Sequence, residues 1–250
     1  MNIEGKVVVI TGAGSGIGRA LAAGFAGDGA YVLGFDINRE GLAETARGCA
    51  DQFLGVQGDV SSEKDVDRLV AATMERFDRI DILFNNAGIN IPDPLRSDAP
   101  FQNWKRAIDV NLIGVALCTH RILPIMVRQG YGRIINVISR AAEATGAGNT
   151  AYSASKAGVT SLTRTLVNGL TQAGHKDILI NSMIPGPTRT PIWGQTLTNG
   201  SLPEQLLNQM QDVDVVYPHA RFLVELPSGG PSGRVFWNSL EYPIYEHFND

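Results

Sequence analysis

Tyr152-Ser-Ala-Ser-Lys156 sets a phenol and an ammonium group four residues apart. On a helix that spacing puts both side chains on one face, one turn apart. A phenol is a poor base at neutral pH, its ordinary pKa being about 10. A cation held beside it favours the phenolate, and a Tyr lowered towards neutrality can take a proton from an alcohol or return one to a carbonyl. The pair alone does not establish this chemistry, because an exposed Lys beside a half-buried Tyr accounts for the same spacing. A second stretch, Thr11-Gly-Ala-Gly-Ser-Gly-Ile-Gly18, follows the apolar run Lys6-Val-Val-Val-Ile-Thr11 and precedes a segment rich in Ala, Leu and Phe, Arg19 to Gly27. Strand, glycine turn and helix in that order are what nucleotide binding requires. The glycines allow a tight turn and close approach of a pyrophosphate, and the amides at the helix start carry about half a positive charge.

The elements needed to position these residues are legible in order. Ala30 to Asp36 reads as a second strand, and Asp36 closes it 18 residues after Gly18. A carboxylate there can accept hydrogen bonds from both ribose hydroxyls of an adenosine and would repel a 2′-phosphate. Arg39 could serve such a phosphate but falls three residues later, and Ser15 puts no basic side chain in the turn, so NAD is favoured over NADP. Asp36 as a solvated strand end is the plainer alternative. A short helix is expected over 41–48 and a strand over 52–58 that ends in Asp59-Val60. Ser61 or Ser62 would then cap a helix, with Asp65 at capping-box distance from Ser62. Further strands are expected at 81–85, 132–139, 177–184 and 234–237. Helices are expected at 101–128 with a bend near Asn111, at 151–172, and at 217–225. The segment 89–100 reads as loop and 192–214 as a mobile lid. Alternation of this kind implies right-handed crossovers and a doubly wound parallel α/β sheet of the Rossmann type, in a single domain over 1–250.

Composition bounds the partners. The chain has 250 residues, 44% of them hydrophobic and 18% charged, with a net charge of -4. Basic residues form no arm or stripe, which argues against nucleic acid. Cys49 and Cys118 have no metal spacing and read as reduced thiols. The start of the chain shows no signal sequence and no apolar run has the length of a membrane span, so a soluble cytoplasmic protein is expected.

Together these residues resemble the short-chain dehydrogenase/reductase family in its single-domain branch of about 250 residues. The resemblance runs from Lys6 to about Trp237. It rests on the glycine turn, Asp59-Val60, Asn85-Asn-Ala-Gly88, Asn111 in Val-Asn-Leu, Ser139, Tyr152 with Lys156, and Pro185-Gly186. It implies Tyr152 as acid/base and Ser139 as hydrogen-bond partner of the substrate oxygen. It implies Lys156 as the group that lowers the Tyr pKa and binds the nicotinamide ribose, and Asn111 as the residue placing a water in a proton relay. It implies that Gly12, Ser15, Gly16, Ile17 and Gly18 hold the pyrophosphate of NAD and that Asp36 takes the adenosine ribose. Asp59 and Val60 would frame the adenine, Asn86, Ala87 and Gly88 would line the groove, and Pro185, Gly186, Thr188 and Thr190 would face the nicotinamide. Assembly as a homodimer or homotetramer through the helices at 101–128 and 151–172 is also implied.

The chain departs from the family in three places. Arg140 follows Ser139, where a small or apolar residue is usual. With Asn90, Asn149 and Arg189 it suggests a polar or anionic alcohol or carbonyl substrate, although pairing with Glu143 would also explain it. Asn238-Ser-Leu240 replaces an Asp-Gly-Gly. The chain then continues to Asp250, and five of its 18 aromatic residues fall within 236–248. A disordered tail is usually poor in aromatics, so 238–250 is expected to dock, with a subunit interface as one place for it. A non-catalytic nucleotide-binding regulator and an NAD-retaining lyase or epimerase are the alternative functions.

Overall fold

Val7–Thr11 (β1) is buried at all five positions, as a strand covered on both faces must be. Tyr31–Asp36 (β2), Phe53–Gln57 (β3), Ile82–Asn85 (β4), Gly132–Val137 (β5), Ile178–Ile184 (β6), Val235–Trp237 (β7) and Leu240–Glu241 (β8) complete one sheet. Its order is β3-β2-β1-β4-β5-β6-β7-β8. All neighbours are parallel except β7 and β8, where Phe236 faces Glu241 and Trp237 faces Leu240. The computed structural model describes residues 2–143, 149–197 and 202–244. The loop centre 144–148, part of the expected lid and the end of the tail with Tyr245 and Phe248 lie outside the described residues.

Helices cover both faces. Gly16–Gly27 (α1), Arg39–Arg47 (α2) and Val216–Val224 (α8) lie on one side, and Glu63–Phe77 (α3), Gly114–Gln129 (α5) and Thr150–Gln172 (α6) on the other. Alternate residues of β1 feed the two cores: Val8 and Ile10 pack with Leu21 and Phe25 of α1, while Val9 packs with Leu69 of α3 and Ile122 of α5. Fully burying one such side chain is worth about 1.5–3 kcal/mol. Phe101–Ile108 (α4) and the short Glu204–Gln209 (α7) complete the helices used below. The chain reverses direction across the sheet between β1 and β4, which opens a crevice at the carboxyl ends of the strands, the usual ligand position in such sheets.

Several boundaries differ from the sequence reading for local reasons. α1 begins at Gly16, inside the glycine turn. α2 begins at Arg39 because the Asn38 side chain accepts from the Gly41 amide. Ser62 caps α3 by accepting from the Asp65 amide at 3.3 Å, but Asp65 turns its carboxylate to the Asp59 amide at 3.1 Å, so the box does not close on Ser62. The expected bend near Asn111 is a π-helical turn at Asp109–Ile113, where one extra residue enters the turn. The helix Phe101–Gln129 that contains it is long and apolar enough to cross a membrane, which the sequence reading did not anticipate. Half of its most apolar window is buried in the protein, with Cys118, Ile122 and Met126 at 0% exposure. On α6 the residues turned to the sheet are Ser155, Lys156, Val159 and Thr163. The small-residue stripe lies on the other side, with Ala154, Ser161 and Thr165 exposed.

Candidate active site

Ser139 follows β5, and Tyr152 lies in the first turn of α6. Asn149 caps that helix by accepting from the Tyr152 amide at 3.0 Å. The Ser139 side chain lies near enough to the Tyr152 phenol to favour its ionised form. One turn further on, Lys156 is 3% exposed and its Nζ lies 5.6 Å from the Tyr152 ring centroid. Lys156 Nζ donates to the Val137 carbonyl at 2.8 Å. Asn111, fully buried, clamps Ile89: its Oδ1 accepts from the Ile89 amide at 2.8 Å and its Nδ2 donates to the Ile89 carbonyl at 2.9 Å. A methyl group built on Gly88 would touch Asn111 Oδ1 at 3.4 Å and Lys156 Nζ at 3.6 Å. Ser139, Tyr152, Lys156 and Asn111, spread over 46 residues of sequence, therefore converge beside the Asn86-Ala-Gly88 turn.

The electrostatics differ from the simple expectation of a lowered phenol. Burial raises the Tyr152 pKa above its ordinary value, and the Ser139 side chain offsets only part of this. Burial also lowers the Lys156 pKa to about 8. The ammonium spends its resolved hydrogen bond on a backbone carbonyl and stands off the phenol, so desolvation prevails at both groups. A phenol near neutrality thus requires a further positive charge in the crevice.

The crevice wall is built from the two turns that flank the sheet reversal. Asn86 Nδ2 donates to the Thr11 carbonyl at 2.9 Å and the Gly12 carbonyl at 3.3 Å, and Thr11 Oγ1 accepts from the amides of Asn86 and Ala87, both at 3.0 Å. Ser15 makes no side-chain cap on α1, and the first turn of α1 holds no acidic residue. Its leading amides are therefore left for an external anion, which fits a dinucleotide pyrophosphate. Asp36 carries two amide contacts, from Gly14 and Asn38, each at 2.8 Å, and each carboxylate oxygen retains a lone pair for a ribose hydroxyl. Asp59 is held by Arg106 at 2.6 Å and by the Ser61 hydroxyl at 2.7 Å. Val60 is 7% exposed. Across the crevice, a methyl on Gly16 would meet Thr190 Cβ at 3.2 Å, so the Pro185–Thr190 segment lies over the glycine turn. Thr188 Oγ1 donates to the Gly186 carbonyl at 3.2 Å.

The four expected substrate contacts differ in their surroundings. Asn90 is exposed. The Asn149 side chain is spent on the helix cap and on the Ile91 carbonyl, to which it donates at 2.6 Å. Arg189 is exposed and lies 4.0 Å from Asp212. Arg140 stacks on Trp237, 5.1 Å from the ring centroid. Three residues not singled out in the sequence shape the site. Asp93 accepts from the Thr150 amide at 2.7 Å. Gln211 Nε2 donates to the Pro185 carbonyl at 2.6 Å while its backbone pairs with Pro187 and Arg189. Trp237 lies between Arg140 and Gly186. None has a local motif; each acts through a partner distant in sequence.

Residues 6–200 match the family model described as short chain dehydrogenase. The chain is 37% identical over 249 residues to the (2S)-[(R)-hydroxy(phenyl)methyl]succinyl-CoA dehydrogenase subunit BbsD of Thauera aromatica, covering 95% of this chain and 96% of that one. It is 38% identical over 198 residues to a 3-oxoacyl-[acyl-carrier-protein] reductase of Thermotoga maritima, covering 77% and 78%. Among solved structures, a 3-ketoacyl-(acyl-carrier-protein) reductase from Brucella melitensis complexed with NADH superposes with a TM-score of 0.83 at 30% identity, covering 94% of this chain and 97% of that one. Levodione reductase matches with the same TM-score and identity, over 93% and 95%. The protein belongs to the short-chain dehydrogenase family, whose members here are oxidoreductases of alcohol and carbonyl groups.

Proposed function

We propose that this protein is an NAD-dependent oxidoreductase that interconverts a secondary alcohol and a ketone, with Tyr152 as acid/base. The observation that carries this reading is the convergence of Ser139, Tyr152, Lys156 and Asn111 on one edge of the crevice, opposite a helix start left open for an anion. The substrate oxygen sits between the Ser139 hydroxyl and the Tyr152 phenol. Tyr152 takes the hydroxyl proton in oxidation and returns it in reduction, a role worth about 10²–10⁴-fold in rate. Lys156 supplies positive charge at the ring, and Asn111 holds Ile89 and the turn before it at the inner end of the site.

Gly12, Ser15, Gly16, Ile17, Gly18, Asp36, Asp59, Val60, Asn86, Ala87, Gly88, Pro185, Gly186, Thr188 and Thr190 would hold the cofactor. Bound nicotinamide supplies the hydride acceptor or donor, and its oxidised ring adds the positive charge that Tyr152 requires. Asp36 supports NAD over NADP by charge repulsion. The substrate is polar or anionic: Arg140 adjoins Ser139, and the Thauera relative is named for a carbinol carried on a CoA thioester. The reading includes a cytoplasmic homodimer or homotetramer formed through α4, α5 and the exposed stripe of α6.

The test is NADH formation from a panel of secondary alcohols, including hydroxy acids, sugars, aryl carbinols and hydroxyacyl thioesters, with NADP in parallel and Tyr152→Phe as control. Turnover with NAD that disappears in the variant is expected. NAD binding with no turnover in either direction would leave the non-catalytic regulator as the better reading.

A further inference from the structure

The residues that follow Ser139 are gripped by the C-terminal hairpin. Asn238 and Ser239, at φ 50° and 61°, make the tight reversal between β7 and β8. Beyond β8 the Tyr242 amide donates to the Val235 carbonyl at 2.8 Å, keeping the chain against β7. Three contacts then reach the short helical turn Arg140–Ala142 and its end at Glu143. The Arg140 guanidinium stacks over Trp237. The Tyr242 phenol donates to the Glu143 carboxylate. Ile244, 1% exposed, shares a buried cluster with Ile138 and Ala142. Trp237 and Tyr242 meet edge to face with centroids 5.7 Å apart, so the grip is one unit. Its other side reaches the Pro185-Gly186 turn, where a methyl on Gly186 would lie 3.4 Å from Trp237 Nε1.

Ser139 is coupled to this grip through the backbone. Its Oγ accepts from the Ala141 amide at 3.2 Å, so the direction of the hydroxyl follows the shape of the turn. We propose that Trp237 and Tyr242 are positioning residues: by holding Arg140 and Glu143 they fix the turn that aims the Ser139 hydroxyl at the Tyr152 phenol. The proposal rests on the catalytic reading of Ser139 and Tyr152 given above. It assigns residues 238–244 a place within their own subunit and gives a task to Trp237 and Tyr242, the aromatics on either side of Asn238-Ser-Leu240. Burial of Ile244 alone would anchor the tail; the contacts to Arg140 and Glu143 add a hold on the catalytic turn.

The experiment compares full-length Tyr242→Phe, Glu143→Ala, Glu143→Gln and Trp237→Leu with the wild type. Three quantities are read: kcat and KM in the dehydrogenase assay, thermal stability, and the ultraviolet titration of the Tyr152 phenol in the NAD complex, taken as the difference from Tyr152→Phe. Tyr242→Phe, Glu143→Ala and Trp237→Leu are expected to lower kcat about ten- to hundredfold, the scale of a misplaced catalytic group. KM for NAD should stay within about twofold in Tyr242→Phe and Glu143→Ala, since uniform binding is untouched; Trp237 also meets Gly186, so Trp237→Leu is judged by the phenol titration. The phenol should titrate at higher pH, because the Ser139 contact that lowers it is weakened. Glu143→Gln keeps an acceptor for Tyr242 and should behave as wild type. An unchanged phenol titration in Tyr242→Phe and Glu143→Ala would overturn the proposal, as would Glu143→Gln matching Glu143→Ala, or losses of kcat that only track lost stability and NAD affinity. Absence of turnover in the wild type would instead count against the catalytic reading, and the phenol titration would still judge the turn.

Discussion

Asp93 accepts a hydrogen bond from the backbone amide of Thr150 at 2.7 Å, closing the start of the helix that carries Tyr152 with a carboxylate from a distant loop. Its other oxygen accepts from the Leu95 amide at 3.0 Å, and Asn149 ties the same loop to the same helix through Ile91. Burial alone would raise the Asp93 pKa, but the amides of Thr150 and Leu95 outweigh it and the carboxyl lies below its ordinary 3.8. Asp93→Ala is expected to cost about 1–2 kcal/mol, the range of a lost helix cap, with Asp93→Asn retaining part of it. Because the folded pKa is depressed, the stabilisation from the charge is present above about pH 4 and lost as pH falls through the folded value. Thermal melts of Asp93→Asn against wild type from neutral to acid pH should therefore converge at the acid end; parallel curves would refute the assignment.

Lys156 also stabilises with rising pH, but for the opposite reason, since its charge is a cost to the fold. Its folded pKa of about 8 lies below the ordinary 10.5, because burial opposes the charge. Below about pH 8 both folded and unfolded chains carry the proton, and the full cost of burying it is present. Between the two values the unfolded chain binds more protons, so wild-type stability should rise relative to Lys156→Met by about 1.4 kcal/mol per pH unit at most. Denaturant titrations at pH 7 and at pH 10 measure the change. A stability difference that is flat with pH would show that the ammonium is not desolvated.

Cofactor preference should follow Asp36. The wild type is expected to favour NAD over NADP at least about tenfold in kcat/KM, and Asp36→Asn, which keeps acceptors for ribose hydroxyls, should narrow the ratio by about tenfold or 1.4 kcal/mol. Equal efficiency with NADP in the wild type would refute the reading and direct attention to Arg39.

Gly18 is a position where no side chain fits. A methyl there would lie 2.0 Å from the Gly12 carbonyl oxygen and 2.7 Å from Asn86 Nδ2. Gly18→Ala is expected to cost about 3 kcal/mol or more through overpacking and to abolish NAD binding by calorimetry. Gly27→Ala, on the same helix with nothing within 4 Å, should leave both unchanged.

Much of this protein is a local matter. Buried runs such as Lys6 to Thr11 become central strands because only a sheet covered on both faces suits them. The glycine turn must be glycine because backbone packs on backbone there, and the spacing of Tyr152 and Lys156 suffices to put both on one helix face. The bend at Asn111 was also marked in the chain, although its π-helical form was not. What tertiary structure decided is everything that depends on partners far apart in sequence. Asn149 ties α6 to loop 89–100 through Ile91, Asp93 becomes a helix cap only when that loop folds over α6, and Arg140 is drawn to Trp237, 97 residues away. The protonation of the site belongs to this second class as well. Side-chain spacing sets which charges meet, but burial sets what each proton costs, and burial exists only once the sheet and helices have closed around Tyr152 and Lys156.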